Sequence, residues 1–421
     1  MQKYSKYKDS GVKWLGEIPS HWDVIKSKYL WKESFAVSDS GHEKLLSVSQ
    51  YDGVTPTKSD SRSESLKGYK IVRENDLVIN IMLAWMGGLG VSKYEGIVSP
   101  AYCIYKLCDS SNPRFLHYLY KTPLYLAEFA RHSSGVIPSR WRMYTDDFGQ
   151  VLSLLPPRKE QDAIVSYLDS VTSKIDESIA QQQKMIDLLN ERKQIIINEA
   201  VTKGLDPKAK MKDSGIDWIG QIPEHWETIQ LKKYAKIILG KMLSNLQNNE
   251  TEYICAKDVH YGNIDISDLK KMNFSKSEKE MYEVKKGDML IVEGGAGAGG
   301  CAIYNYEKTG ICIQNSIMIV RCNEKIINEY VCFFLQSINE KGYVEYVCNK
   351  ATIPHFTKEK VGSVTIPVPS RTEQFEIVKY VKNNISPINL AIESANKQIA
   401  LLQERKQIII NDVVTGKVKV V

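Results

Sequence analysis

Two blocks of this chain are written twice, and that repeat constrains its fold more than any other feature. Asp9–Trp22 reads DSGVKWLGEIPSHW and Asp213–Trp226 reads DSGIDWIGQIPEHW, nine of fourteen positions being identical at an offset of 204. Glu191–Thr202 (ERKQIIINEAVT) returns as Glu404–Thr415 (ERKQIIINDVVT), ten of twelve identical at an offset of 213. Arg158, Glu160 and Gln161 return at that offset as Arg371, Glu373 and Gln374, each after a proline-bearing stretch (LLPPRKEQ and PVPSRTEQ). Between these blocks, residues 30–150 and 235–365 share only echoes, such as NDLVIN against GDMLIV and GVIP against ATIP. A repeat of this length folds as two versions of one plan. Uniform drift would have eroded frame and inserts alike. A constant frame around variable inserts implies one job for the frame and two for the inserts.

The stretch from Arg158 to about Lys203 has no Pro or Gly and reads as one long helix. Steps of three and four through the second copy give Val378, Val381, Ile385, Ile388, Ile392, Ala395, Ile399, Leu402, Lys406, Ile409 and Val413, ten of eleven apolar. The matching positions of the first copy are Val165, Leu168, Thr172, Ile175, Ile179, Gln182, Ile186, Leu189, Lys193, Ile196 and Ala200, eight of eleven apolar. This narrow stripe is a coiled-coil seam. Forty residues make a rod of roughly 60 Å. A pseudo-twofold relation between the halves makes the two helices antiparallel. The expected helix-pair interface is Leu168, Ile175, Ile179, Ile186, Leu189 and Ile196 against Val381, Ile388, Ile392, Ile399, Leu402 and Ile409. Pro387, with Ser386 as N-cap, predicts a restart and kink in the second helix.

The inserts carry short strand-like runs (Asp76–Leu83, Asp288–Glu293, Ile311–Arg321) separated by glycine-rich turns. The fold class expected is α+β: two globular α/β domains joined by two long antiparallel helices. The boundaries are 1–155, 156–206 (helical), 207–368 and 369–421 (helical).

Chemistry is sparse. Gly295-x-Gly297-x-x-Gly300 matches a dinucleotide fingerprint literally, but the following CAIYNYEKTG reads as strand and turn, not the helix a pyrophosphate needs, so a glycine hairpin is expected. There is no GxxxxGK[ST], no DPPY- or NPPY-like methyltransferase segment, and Glu283-x-Lys285 lacks an upstream PD partner. His21 and His225, in the repeated IPxHW, read as structural, because the sequence offers no repeated nucleophile or carboxylate for them to activate. Eight cysteines without a CxxC pair read as buried thiols of a reducing cytoplasm, with no metal site. No apolar run is long enough to span a membrane and no secretory signal opens the chain. The net charge of +6 permits nucleic acid as a partner without demanding it. A duplicated chain without a catalytic constellation reads as a binding or scaffold protein.

The doubled KDSGVKWLGEIPSHW opening, the PPRKEQ and ERKQIIINEAVTKG blocks and the two dissimilar inserts together resemble the DNA-specificity subunits of bacterial type I restriction–modification enzymes, over the full length. The resemblance makes the inserts two target-recognition domains and the helices conserved spacers. It implies that each insert reads one half of a bipartite site on double-stranded DNA and that the helices set the distance between halves. Two methyltransferase subunits would dock on the frame, and restriction subunits would join them. It further implies that the chain itself is non-catalytic and cytoplasmic, binds no cofactor, and needs no second copy. S-adenosylmethionine, ATP and Mg2+ would belong to the partners. The alternative is a non-catalytic coiled-coil adaptor that binds only proteins, against which two unrelated, strand-rich inserts of similar size argue.

The resemblance carries no DNA-contact motif, so composition selects candidates. Ser139, Arg140, Trp141 and Arg142 place two guanidinium groups beside an indole, suited to phosphate contact and guanine reading. The equivalent loop of the second insert offers Lys350, His355, Thr357 and Lys358 around Phe356. Lys58 and Arg62 in TPTKSDSRSES are a third choice.

Overall fold

The computed structural model describes residues 2–50, 53–57, 66–137, 141–243, 250–348 and 354–420. The chain divides into two compact units: residues 1–183 with 396–421, and residues 184–395. Two helices, Arg158–Lys203 and Arg371–Val414, each give one half to each unit.

In the first unit, the repeated motif forms a hairpin, Tyr7–Asp9 against Glu17–Pro19. Asp9 Oδ1 accepts the Gly11 N–H at 2.9 Å, and Gly11 and Gly16 take φ of +72° and +66°, which is why the turn reads DSG…G. Asp23–Lys26 then pairs antiparallel with Leu152–Leu155, so the insert leaves and re-enters the frame at adjacent residues, Lys26 facing Leu152. The insert holds an antiparallel sheet ordered Trp31–Ser34, Tyr102–Leu107, Leu77–Asn80, Leu89–Val91. Helices Pro113–Tyr120 and Pro123–Arg131 follow, each started by a side-chain cap (Asn112, Thr122) and a proline.

The second unit repeats this plan. Met211–Asp213 pairs with Gln221–Pro223, and Glu227–Gln230 with Thr365–Val368. Its sheet runs Ala235–Leu239, Ile317–Cys322, Met289–Val292, Cys301–Ile303, the same order and antiparallel sense. The run Ile311–Arg321 is two strands rather than one. Gln314 Oε1 accepts the Ser316 N–H and its carbonyl the Ile317 N–H, turning the chain between Cys312–Ile313 and Ile317–Cys322. The GxGxxG segment joins the antiparallel strands Met289–Val292 and Cys301–Ile303, so it is a hairpin.

All twelve named interface residues on the long helices are buried or half-buried. Leu188, Ile195, Leu401 and Ile408, off the stripe, are exposed. Each buried Leu or Ile contributes about 1.5–3 kcal/mol. In the first unit Leu168, Ile175, Ile409 and Val413 share a core with Trp22; in the second Ala200, Val201, Val378 and Val381 share one with Trp226. The expected restart at Ser386 does not occur: the second helix continues through Pro387. The missing N–H removes one helical bond, at a cost of about 3 kcal/mol, which a helix anchored by buried Val381 and Ile388 on either side of the proline tolerates.

Candidate nucleic-acid interface

The repeated motifs converge on one carboxylate per unit. In the first unit Glu160, at the start of the long helix, receives His21 Nε2 at 2.8 Å and the Tyr4 hydroxyl at 2.5 Å. In the second Glu373 receives His225 Nε2 at 3.0 Å and Trp226 Nε1 at 3.0 Å. The carboxylate that sequence reasoning missed for each histidine is therefore the repeated glutamate, about 140 residues on in chain order. Beside it, Gln161 Oε1 accepts the Asn112 N–H at 2.7 Å, and Gln374 Oε1 accepts the Ile327 N–H at 2.9 Å. Both glutamines also donate back to a proline carbonyl, Pro156 or Pro369. Arg158 and Arg371 bond carbonyls of Ser110 and Glu324. The RxEQ signature thus ties the start of each long helix to the hairpin and to an insert helix. The far end of the other long helix closes the same packing. A Cβ on Gly204 would stand 3.1 Å from Trp226, and one on Gly416 2.5 Å from Pro19.

At the opposite end of each insert sheet lies a hairpin tip. In the first unit the tip between Leu77–Asn80 and Leu89–Val91 carries Trp85, whose ring packs against Trp141 with centroids 5.3 Å apart. The Met143 N–H donates to the Ile81 carbonyl, laying this loop along the tip. Arg142 pairs through its main chain with Ser134, and its guanidinium donates to the Trp141 carbonyl. Met82, Leu83 and Met86 of the tip are exposed, as are Val136 and Ile137 ahead of the loop. Ser139, Arg140, Lys58, Arg62 and Lys350 lie outside the described residues.

The second unit lays the equivalent loop over the equivalent tip with other chemistry. The Phe356 N–H donates to the Glu293 carbonyl at 2.7 Å, and His355 bridges to Gly294. A Cβ on Gly294 would meet the His355 ring at 2.9 Å, so glycine permits this approach. His355 Nδ1 lies 3.3 Å from Glu293 Oε2, and Phe356 is buried. Thr357 stands at the N-cap position of the helix Lys358–Ser363 without a side-chain capping bond, and Lys358 is exposed. Tyr346, exposed and 5.2 Å from Trp218, is an aromatic that sequence reasoning overlooked, as is Trp85. The two tips are equally long, but the first carries large apolar side chains and the second is glycine-rich.

Among the described residues no group of three His, Cys, Asp or Glu is placed to hold a metal, and no helix is long and apolar enough to cross a membrane.

Residues 223–402 match the family model of the type I restriction modification DNA specificity domain. The chain is 26% identical to a putative type I restriction enzyme MjaX specificity subunit of Methanocaldococcus jannaschii, over 96% of each chain. It is 20% identical to the type I restriction enzyme EcoKI specificity subunit of Escherichia coli, over 72% of this chain and 65% of that one. A chain from a solved structure on complex assembly and conformational transition of the type I R-M system superposes with a TM-score of 0.66 at 16% identity, covering 94% of this chain and 98% of that one, a likeness of fold. The chain is similar to type I restriction–modification DNA-specificity subunits, over residues 223–402 to the domain model and over 96% of its length to one such subunit.

Proposed function

We propose that this chain is the sequence-reading subunit of a type I restriction–modification assembly, each insert reading one half of a bipartite site on double-stranded DNA. One observation carries the reading: the same sheet order is built twice on a repeated frame, yet the tips differ, Met82–Met86 with Trp141 in one unit and Glu293–Gly300 with His355 in the other. Two readers on a common mount suit two different half-sites. The long helices act as an antiparallel coiled-coil spacer between target-recognition domains. Their duplicated blocks give two equivalent docking places for methyltransferase subunits, to which restriction subunits add. Catalysis and its S-adenosylmethionine, ATP and Mg2+ belong to those partners, and the chain works in the cytoplasm without a cofactor of its own.

The test is co-expression with the methyltransferase followed by single-molecule sequencing of methylated bases. Replacing residues 30–150 with the matching insert of a relative should change one half-site only; a change in both, or in neither, overturns the reading. Inserting seven residues between Gln182 and Gln183 keeps the heptad phase and lengthens the helix by about 10 Å. It should change the spacer and leave both half-sites intact.

A further inference from the structure

Each insert is pinned to its frame helix by an ion pair, and the two pairs have opposite polarity. In the first unit Arg114 grips Asp169 with two bonds, both 2.7 Å, and the Tyr118 hydroxyl donates to the same carboxylate at 2.7 Å. In the second Glu329 accepts from Lys382 Nζ at 3.0 Å. These positions correspond. Asp169 and Lys382 stand at the frame offset of 213. Arg114 and Glu329 stand at 215, the offset also of Asn112 and Ile327, which the repeated glutamines hold at the caps of the two insert helices. At the same 215, Tyr118 corresponds to Phe333. The insert that faces a frame carboxylate presents a guanidinium and a phenol, both donors; the insert that faces a frame ammonium presents a carboxylate and a ring with no hydroxyl.

We infer that positions 169 and 382 are a matching code that seats each insert on its own half of the frame. The need follows from the repeat. The glutamine and arginine contacts are the same in both units, and the glutamates bond only frame residues, so none of them can tell one insert from the other. Seated wrongly, Arg114 faces Lys382, Glu329 faces Asp169, and the Tyr118 hydroxyl loses its acceptor. Like charges in place of unlike ones penalise the wrong pairing, which attraction alone does not do. Arg114 and Glu329 are thus positioning residues for the readers. The inference goes beyond the DNA-reading role, and its test uses no DNA.

The test is thermal melting of the full-length chain. Arg114→Glu and Asp169→Lys should each lower the midpoint by about 2–4 °C, the shift that roughly 1 kcal/mol gives a unit of this size. Combined, they rebuild the polarity of the second unit and should return the midpoint to within about 1 °C, the more so with Tyr118→Phe added. Arg114→Gln, which removes charge without repulsion, should cost less than Arg114→Glu. A chimera with residues 30–150 and 235–365 exchanged should melt lower on the native frame than on a frame carrying Asp169→Lys and Lys382→Asp. Additive losses in the double variant, or a chimera equally stable on both frames, would overturn the code.

Discussion

In the second unit Glu373 takes both of its bonds from the repeated motif itself, from His225 and Trp226. In the first, Glu160 keeps the histidine but takes its other bond from Tyr4, outside the motif, and the buried Trp22 Nε1 has no partner among the described residues. Both indoles are fully buried and both hairpins keep the same register. The repeat therefore preserves where the tryptophan and the carboxylate sit, while the bond between them is free to change once another donor satisfies the acid. Shape is the shared property of the frame, and its hydrogen bonds are local solutions.

Removing the indole N–H separates the two units most sharply. Trp226→Phe leaves a void and deprives Glu373 of a donor, so a loss of about 2–4 kcal/mol is expected. Trp22→Phe leaves a similar void but breaks no bond, and should cost less by about 1–2 kcal/mol. Urea unfolding of both variants decides it, and equal losses would mean that the Trp226–Glu373 bond adds nothing to packing.

Tyr4→Phe should have a smaller effect, because Glu160 can then accept from the idle Trp22 Nε1 and adopt the wiring of the second unit. We expect a loss of about 1 kcal/mol. Adding Trp22→Phe should cost more than the two single changes summed, since Glu160 then keeps only His21. A strictly additive double variant would show that the indole cannot take the acid over.

The long helices were legible because a three–four apolar step without glycine has one helical solution, and the stripe found at Leu168 to Ile196 and Val381 to Ile409 is the stripe that is covered. The restart at Pro387 was misread because proline's cost, weighed alone, ignores the packed residues around it. The glycine hairpin was legible because no helix could follow Gly300. The glutamate hub was missed although Glu160 and Glu373 recur at the frame offset, because a carboxylate and its histidine lie 139 residues apart in the first unit and nothing local joins them. Trp85 was missed for the same reason: it meets Trp141 only through the fold, and an isolated tryptophan in MLAWMGG carries no spacing signal.

The smallest difference lies at the two seam lysines, which occupy equivalent positions and hold equivalent residues. Lys406 Nζ bonds both oxygens of Asp176 at 2.7 Å; Lys193 Nζ bonds Asn389 Oδ1 at 3.0 Å. Asp176 and Asn389 are themselves 213 apart, so one lysine faces a charge and the other an amide. Lys406→Met should cost about 0.5 kcal/mol, the usual worth of a largely solvated pair. Lys193→Met should act the other way. Burial pulls the Lys193 pKa below its ordinary value, and the charge of the Glu340 carboxylate offsets this only in part. Exchanging a partly desolvated ammonium for a thioether should stabilise the second unit by about 0.5 kcal/mol. The pH dependence follows from the direction of the shift. The folded state disfavours the charged lysine, so the penalty is complete where both states are protonated and vanishes above the unfolded value of 10.5. The advantage of Lys193→Met over the native chain should therefore be greatest near neutrality and shrink as pH rises toward that value. Urea midpoints across that range measure it. A destabilised Lys193→Met variant would mean that its bond to Asn389 outweighs the desolvation, and that the seam lysines serve both units alike.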